Sequence, residues 1–321
     1  RDKNWDGGDM SETIGFGTAP LKSNGQTGIP CVCRVQIVRS ISRWSGGCNL
    51  EASIHEAYCN AIQGSSHFIY IENQFFCTGC KNDEEIGNRI GEALRNRIVR
   101  AHKNKEKFRV MVVLPLFPEV NGHCSKSNTG LRSILHWQLS SINLGKRSLL
   151  QKLKHDDGVE RPEDYIRFFS QRVFDTRPSD GKPFTSLVYI HTKTMIVDDR
   201  IAIIGSANIN DRSMLGIRDS ELAAVVTDND GPEIVLGGDH KWRTGKFAHS
   251  LRMKLFERML SRSNESIATL DLASSEGWNA LFEHAGKNTE IYENVFPLGT
   301  LMPSNKLKTW EDCRQAQEEK A

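Results

Sequence analysis

Two short, mostly apolar runs constrain the fold of this chain more than any other feature. FIYIE at Phe68–Glu72 and FRVMVVLPL at residues 108–116 are each long enough for one strand and show no apolar–polar alternation. A strand with one face in water alternates, so these runs predict strands covered on both faces. Between them, apolar residues recur every four positions from Ile86 to Ile98, which predicts a helix capped by Asp83 and Glu84.

The same reasoning extends along the chain. Apolar spacing predicts helices over residues 50–62, 86–98, 131–153 and 247–259, and strands over residues 32–38, 68–72, 108–116, 165–169, 187–197, 201–205 and 221–227. Alternation of strands and helices is typical of α/β domains. We therefore expect an α/β fold, a mixed β-sheet flanked by helices on both faces.

Composition bounds the domain organisation and the class of partner. The 321 residues divide into a predicted linker or surface loop at 1–30, rich in Gly, Ser and Asn, a domain at 31–300, and a polar tail at 301–321 that ends as a truncated chain would. With 42 Lys and Arg against 40 Asp and Glu, the net charge of +2 disfavours nucleic acid as a ligand.

Apolar length and cysteine usage bear on location. No run reaches the 18 or more apolar residues that a bilayer crossing needs, and residues 1–13 lack a secretory signal. Eight cysteines in a chain this long are too few for a disulfide framework. These features predict a cytoplasmic protein.

The segment LVYIHTKTMIVDDRIAIIGSANIND carries the clearest chemical signal. It satisfies the pattern H-x-K-x4-D-x6-G-S-x-N at six fixed positions: His191, Lys193, Asp198, Gly205, Ser206 and Asn208. At roughly one in twenty per position, such a match arises by chance in about one of 10⁵ chains of this length. The pattern therefore indicates a functional site.

Strand geometry explains how these residues could meet. Side chains two apart on a strand share a face, so His191 and Lys193 are expected to project together. A tight turn at residues 198–200 would reverse the chain and return Ser206 and Asn208 to the histidine. Gly205 is expected to allow close approach of the backbone.

The residue types suit a phosphodiester. An imidazole can attack phosphorus or protonate a leaving oxygen, while a lysine ammonium and an asparagine amide can bind the non-bridging oxygens. Glu221 is the candidate to hold the second ring nitrogen of His191. Asp198 is expected to support Lys193 or the hairpin backbone.

Other polar residues admit two interpretations each. Glu72, Asn73 and Gln74 end a strand, where ligands of α/β sheets gather, and either border the pocket or are surface residues; Gln74 is the substrate-binding candidate among them. Arg212 could bind phosphate or form an ordinary surface salt bridge.

The sequence supplies little support for a metal or a cofactor. Cys77 and Cys80 form a lone C-x-x-C, and a zinc site with His123 and Cys124 would lack the usual second pair. Neither a metal nor a cofactor is therefore predicted.

The H-x-K-x4-D segment and its continuation DRSMLGIRDSELA resemble the phospholipase D superfamily, and specifically the carboxyl-terminal half of eukaryotic phosphatidylcholine-hydrolysing members. Five further segments carry the same resemblance: VRSISRWSGG, SIHEAYCNAI, IYIENQFF, YIRFF and KFAHSLRMKLF. The resemblance covers about residues 31–300 and implies one half of a pseudo-twofold fold.

The resemblance implies cleavage of phosphatidylcholine to phosphatidic acid and choline through a phosphohistidine, with transfer to alcohols as a side reaction, at a membrane surface and without metal. It also implies two H-x-K-x4-D sets per site, and only His191 of the ten histidines begins one. A second half or a second copy is therefore expected. His191 is either the nucleophile or, as the family pattern favours, the general acid; alternatively, the chain is a catalytically silent or lipid-binding half.

Overall fold

The computed structural model describes residues 32–80, 83–116, 129–260 and 270–295. The twelve strands of this part are β1 (Arg34–Ile41), β2 (Glu51–Ala52), β3 (Phe68–Glu72), β4 (Arg109–Val113), β5 (Ile166–Phe169), β6 (Arg172–Thr176), β7 (Pro183–Leu187), β8 (Thr194–Val197), β9 (Ile201–Gly205), β10 (Glu221–Thr227), β11 (Glu233–Leu236) and β12 (His240–Arg243). The α-helices are α1 (Arg43–Gly46), α2 (Ser53–Gly64), α3 (Ile90–Asn104), α4 (Thr129–Ile142), α5 (Leu149–His155), α6 (Asp211–Met214), α7 (Lys246–Leu260) and α8 (Ser275–Val295).

Eight strands form one mixed sheet in the order β2-β1-β10-β9-β8-β3-β4-β5. β3, β4 and β5 are parallel, and the strands from β8 to β2 are antiparallel to their neighbours. The carboxyl end of β3 therefore lies beside the start of β8 and the end of β9. The remaining four strands form two separate hairpins, β6–β7 and β11–β12.

Alternate residues of the central strands enter two hydrophobic cores. Ile69 and Ile71 pack with α2, α3 and α5, while Phe68 and Tyr70 pack with α7 and α8. This is the division that the two-residue period of a strand imposes on a sheet buried on both faces. The expected mixed sheet with helices on both faces is confirmed.

Several predicted elements occur at their predicted bounds, and others require correction. β3, β9 and β10 match the sequence prediction residue for residue. The strand predicted over residues 187–197 is interrupted, because β7 ends at Leu187 and β8 begins at Thr194. His191 and Lys193 consequently lie before β8, outside any strand.

Two helix predictions were also wrong in detail. The helix predicted over residues 131–153 is two helices, and Gly145 between them adopts a φ of 81°. α3 begins at Ile90, so Asp83 and Glu84 do not cap it. The Asp83 carboxylate instead accepts hydrogen bonds from the N–H groups of Glu85 and Ile86, which closes a turn before the helix.

The reversal between β8 and β9 is the predicted tight turn. Asp198 and Asp199 adopt φ angles of 51° and 53°, and the Arg200 N–H donates to the Val197 carbonyl. Two central residues with positive φ are the hallmark of a type I′ hairpin turn, in which Asp is tolerated. No helix within the described ranges is both long and apolar enough to cross a bilayer.

Candidate active site

The ends of three strands meet where the sequence places its motif. The Gly205 N–H, at the end of β9, donates to the Lys193 carbonyl at 3.1 Å, and Glu72, at the end of β3, pairs with Thr194. The hairpin β8–β9 thus brings the H-x-K and G-S-x-N segments together, beside the carboxyl end of β3.

Lys193 is the buried cation of this site. The residue is only 7% exposed, and its Nζ donates to the His191 carbonyl at 2.6 Å and to Gln74 Oε1 at 3.2 Å. An ammonium has three N–H donors, so one donor has no partner among the described residues and can bind a ligand. Burial lowers the pKa of Lys193, and the carboxylate of Glu221 acts in the opposite direction.

His191 is exposed, and its ring is free for chemistry. The imidazole stacks on the Tyr189 ring with centroids 5.9 Å apart, and it forms no hydrogen bond with any described residue. Gln74 Nε2 donates to the Tyr189 hydroxyl at 2.7 Å while Gln74 Oε1 accepts from Lys193. Gln74 therefore lies inside the site, with both amide atoms bonded to protein groups.

Glu221 is not hydrogen-bonded to His191, contrary to the sequence expectation. Its carboxylate accepts a hydrogen bond from the Ser206 hydroxyl across β9 and β10, and the same hydroxyl accepts from the Leu222 N–H at 3.2 Å. The reason is strand pairing, which places Ser206 next to the start of β10. Ser206 and Glu221 form a polar pair at the rim of the site.

Gly205 is required by close approach of two strands. A Cβ at this position would lie 2.4 Å from the Ala223 Cβ and 2.5 Å from the Leu222 carbonyl oxygen. Any larger residue would push β9 from β10 and displace Ser206. Gly205 therefore contributes by allowing close strand pairing next to the site, and it has no side chain to offer a substrate.

Asn208 lies in the loop after β9. Its Oδ1 is buried and has no hydrogen-bond partner among the described residues. The neighbouring residues are held by Asn73, whose Oδ1 accepts from the Ile209 N–H at 3.1 Å and whose Nδ2 lies 3.5 Å from the Ala207 carbonyl oxygen. Oδ1 of Asn208 is therefore available to a ligand.

Asp198 lies at the opposite end of the hairpin and contacts neither His191 nor Lys193. Its carboxylate accepts hydrogen bonds from the N–H groups of Ser66, His67 and Phe68 at 2.6 to 2.8 Å. It therefore anchors the start of β3, a supporting function, but for a segment other than the one expected. Burial raises the pKa of Asp198, although these three donors lower it.

Arg212 is paired at the surface. Its guanidinium donates to both carboxylate oxygens of Asp219, at 3.0 and 2.8 Å, and the side chain is 58% exposed. The sequence left open whether Arg212 binds phosphate or forms a surface salt bridge, and the structure shows the salt bridge.

Sequence reasoning left open whether Glu72 and Asn73 border the site or lie at the surface. Glu72 accepts hydrogen bonds from Thr192 Oγ1 and from the Tyr70 hydroxyl, both at 2.5 Å. Glu72 and Asn73 are 5% and 0% exposed, so neither is a surface residue. Their place at a strand end was the available signal, but it did not distinguish a buried from an exposed position.

The remaining sequence hypotheses concern metals. Cys77 and Cys80 are free thiols, and burial raises their pKa values to about 12 and about 11, which disfavours the thiolate that binds metal. His123 and Cys124 lie outside the described residues. Within the described ranges, no group of three or more His, Cys, Asp or Glu side chains could hold a metal ion.

A cavity of about 530 Å³ opens at the other end of the sheet, near the starts of β4 and β5, and residues including Arg109, Tyr165 and Trp278 line it. None of the six motif residues lines this cavity. The motif residues other than Asp198 lie instead near the carboxyl end of β3.

Comparison with known proteins agrees with the geometry. Residues 23–296 match the family model described as Phospholipase D. The chain is 45% identical to phospholipase D zeta 1 of Arabidopsis thaliana over 85% of its length, 43% identical to a phospholipase D of Phytophthora infestans over 87%, and 39% identical to human phospholipase D1 over 82%. It spans 25%, 15% and 24% of these relatives, respectively.

Among solved structures, phosphatidylserine synthase of Haemophilus influenzae superposes with a TM-score of 0.40 and 11% identity, over 85% of this chain and 50% of that one. The Nuc protein of Salmonella typhimurium, a phospholipase D family member, superposes with a TM-score of 0.32 and 16% identity, over 72% of this chain and 95% of that one. On the family model and the sequence identities, this chain belongs to the phospholipase D family.

Proposed function

We propose that this chain is one catalytic half of a phospholipase D that hydrolyses phosphatidylcholine to phosphatidic acid and choline, and that transfers the phosphatidyl group to primary alcohols when these are present. The observation that carries the proposal is the pairing of an exposed, uncommitted imidazole with a buried ammonium that keeps a donor free. Such a pair suits a phosphodiester, because one group exchanges a proton or a bond with the ester while the other binds the non-bridging oxygens.

The proposed reaction has two displacements. In the first, an imidazole nitrogen bonds to phosphorus, the bond from phosphorus to the choline oxygen breaks, and that oxygen takes a proton from a second imidazole. In the second, water or an alcohol gives its proton to the second imidazole and bonds to phosphorus, and the phosphorus–nitrogen bond breaks. Family pattern favours His191 as the second imidazole, the general acid and base.

A second imidazole has to come from outside this chain's motif. Only one H-x-K sequence occurs among the ten histidines, so the partner is an amino-terminal half bearing the first motif or a second copy of this chain. The lipid substrate lies in a bilayer, so the proposed enzyme is a peripheral protein at a membrane surface, and the proposal keeps the cytoplasmic location expected from the sequence.

The test measures choline release and phosphatidylethanol formation from phosphatidylcholine vesicles containing ethanol. It uses the chain alone and the chain with a separately expressed segment that carries a first H-x-K-x4-D motif. We expect turnover only where two motifs are present, and a fall of about 10³-fold or more in His191→Ala. His155→Ala, an exposed histidine on α5, is the matched control.

Unchanged turnover in both His191→Ala and Lys193→Ala would rule out the site. The single motif favours one alternative, a catalytically silent or lipid-binding half. Vesicle binding without turnover in either assembly would support that alternative, and turnover by the monomeric chain alone would exclude it.

A further inference from the structure

We propose that Glu72 and Asn73 are positioning residues for this reaction: Glu72 holds the residue between His191 and Lys193, and Asn73 holds the residues on both sides of Asn208. This inference deepens the proposed function, on which it rests. In this view, the carboxyl end of β3 fixes the positions of His191, Lys193 and Asn208 relative to one another.

Glu72 acts on the H-x-K segment through its middle residue. Thr192 lies between His191 and Lys193, and its hydroxyl donates to Glu72 Oε2 at 2.5 Å. The other carboxylate oxygen accepts from the Tyr70 hydroxyl at 2.5 Å, which fixes the orientation of the carboxylate. With both oxygens bonded in a residue only 5% exposed, Glu72 has little freedom to move.

The H-x-K segment needs this restraint because it lies outside the sheet. Residues 188–193 belong to no strand, and Thr194 is the first residue of β8. Thr192 lies between His191 and Lys193 in the chain, so fixing the Thr192 side chain restrains the backbone from which both functional side chains project. The hydrogen bond to Glu72 supplies part of the order that a strand ladder would otherwise give.

Asn73 acts in the same way on the second segment. Its Oδ1 accepts from the Ile209 N–H at 3.1 Å and its Nδ2 lies 3.5 Å from the Ala207 carbonyl oxygen, so it contacts the residues on both sides of Asn208. Asn73 is fully buried, and its backbone N–H donates to the Val113 carbonyl at 3.2 Å. Asn208 lies between the two held residues, and its Oδ1 has no hydrogen-bond partner in the described part of the chain.

The two residues are adjacent at the end of one rigid strand. β3 is paired on one side with β4 and on the other with β8, so its carboxyl end cannot shift without breaking two ladders. One strand end therefore sets the distance between the H-x-K and G-S-x-N segments. Precise placement of this kind accounts for large factors in rate, because small misplacements of reacting groups lower it steeply.

The decisive variants remove or keep the hydroxyl of Thr192. Thr192→Val keeps the shape and removes the donor to Glu72, whereas Thr192→Ser keeps the donor. In the assembly that carries both motifs, we expect Thr192→Val to lower kcat by about 10- to 100-fold with KM within about threefold, and Thr192→Ser to stay within about threefold of the unaltered protein. Thr185→Val, which removes the hydroxyl that a half-buried threonine of β7 donates to the Val173 carbonyl, is the matched control.

A second measurement does not depend on turnover. Nuclear magnetic resonance of the isolated chain, with its histidines isotopically labelled and assigned with His191→Ala, reports the imidazole of His191 directly. We expect one set of His191 signals in the unaltered protein and in Thr192→Ser. In Thr192→Val and Glu72→Gln, we expect shifted or multiple signals, with the thermal unfolding midpoint little changed.

His191 signals in Thr192→Val and Glu72→Gln that match the unaltered protein would overturn the proposal. A fall in kcat with those signals unchanged would also overturn it, because the hydroxyl would then be a substrate contact. If the assembly shows no turnover at all, the proposed function fails, and the His191 signals alone decide whether Glu72 positions the segment.

Discussion

The two ends of the hairpin β8–β9 differ in how far their polar side chains are buried and hydrogen-bonded. At the turn, the carboxylates of Asp198 and Asp199 are buried and fully engaged by protein donors. At the open end, His191 is exposed without a hydrogen bond and Lys193 keeps a donor free within the described structure. Polar groups at the turn stabilise the fold, whereas His191 and Lys193 at the open end keep groups without a partner among the described residues, which the proposed function assigns to the substrate.

The turn itself contains a second contrast. Asp199 accepts two hydrogen bonds from the Arg252 guanidinium, at 2.6 Å each, and one contact from His249 Nδ1 at 2.8 Å. Although burial raises its pKa, these partners outweigh burial and lower the pKa to about 2. The Asp198 carboxylate accepts from three neutral N–H groups, and neither these nor the charge of His67 outweighs burial, so its pKa is raised. The guanidinium that is hydrogen-bonded to Asp199 accounts for the difference between the two carboxylates.

The largest effect on stability is expected from Asp199→Asn. The substitution leaves the Arg252 guanidinium buried without its counter-charge, so we expect the free energy of unfolding to fall by about 3–5 kcal/mol. Urea denaturation of the protein measures this free energy. Asp219→Asn, which removes the carboxylate partner of the exposed Arg212, should cost less than about 1 kcal/mol, and an equal cost for the two variants would contradict the contrast.

Lys193→Met tests the open end. Removing a buried ammonium relieves its desolvation, so we expect the free energy of unfolding to change by less than about 1 kcal/mol, toward higher stability. Turnover by the two-motif assembly should fall about 10²- to 10³-fold, because a donor to the developing phosphoryl charge is lost. A marked loss of stability would mean that Lys193 is part of the framework after all.

Acid pH should weaken the turn end selectively. The folded-state pKa of Asp199 is about 2, below the unfolded value of about 3.9, so its contribution is nearly complete above about pH 5 and is lost as the pH falls through 2. The difference in unfolding free energy between the unaltered protein and Asp199→Asn should therefore shrink by about 2 kcal/mol between about pH 5 and about pH 2. Asp198 titrates in both proteins and cancels, so a constant difference would contradict the assignment.

The smallest effect is expected from Arg212→Ala. Its ion pair with Asp219 is largely exposed, so we expect a change in unfolding free energy below about 1 kcal/mol and turnover within about threefold. A fall in turnover of tenfold or more would show that the guanidinium leaves Asp219 to bind phosphate. It would then belong with the groups at the open end.

Prediction from the sequence succeeded where the signal is local. Two aspartates between short apolar runs predict the tight turn, and apolar runs without alternation predict strands buried on both faces, such as β3. It failed for Glu221, because the hydrogen-bond partner of a carboxylate depends on strand register. It also extended one strand through His191, since residues 187–197 have strand composition but only Thr194–Val197 find a partner in the main sheet.

The sequence by itself determined the motif, the family and the general architecture, because residue types, their spacing and apolar periodicity act over short stretches of chain. Only the tertiary structure decided that Glu72 would meet Thr192, 120 residues away, and that Asn73 would meet Ile209, 136 residues away. Polar residues usually indicate a surface, and their burial becomes favourable only when folding supplies a distant partner for each donor and acceptor.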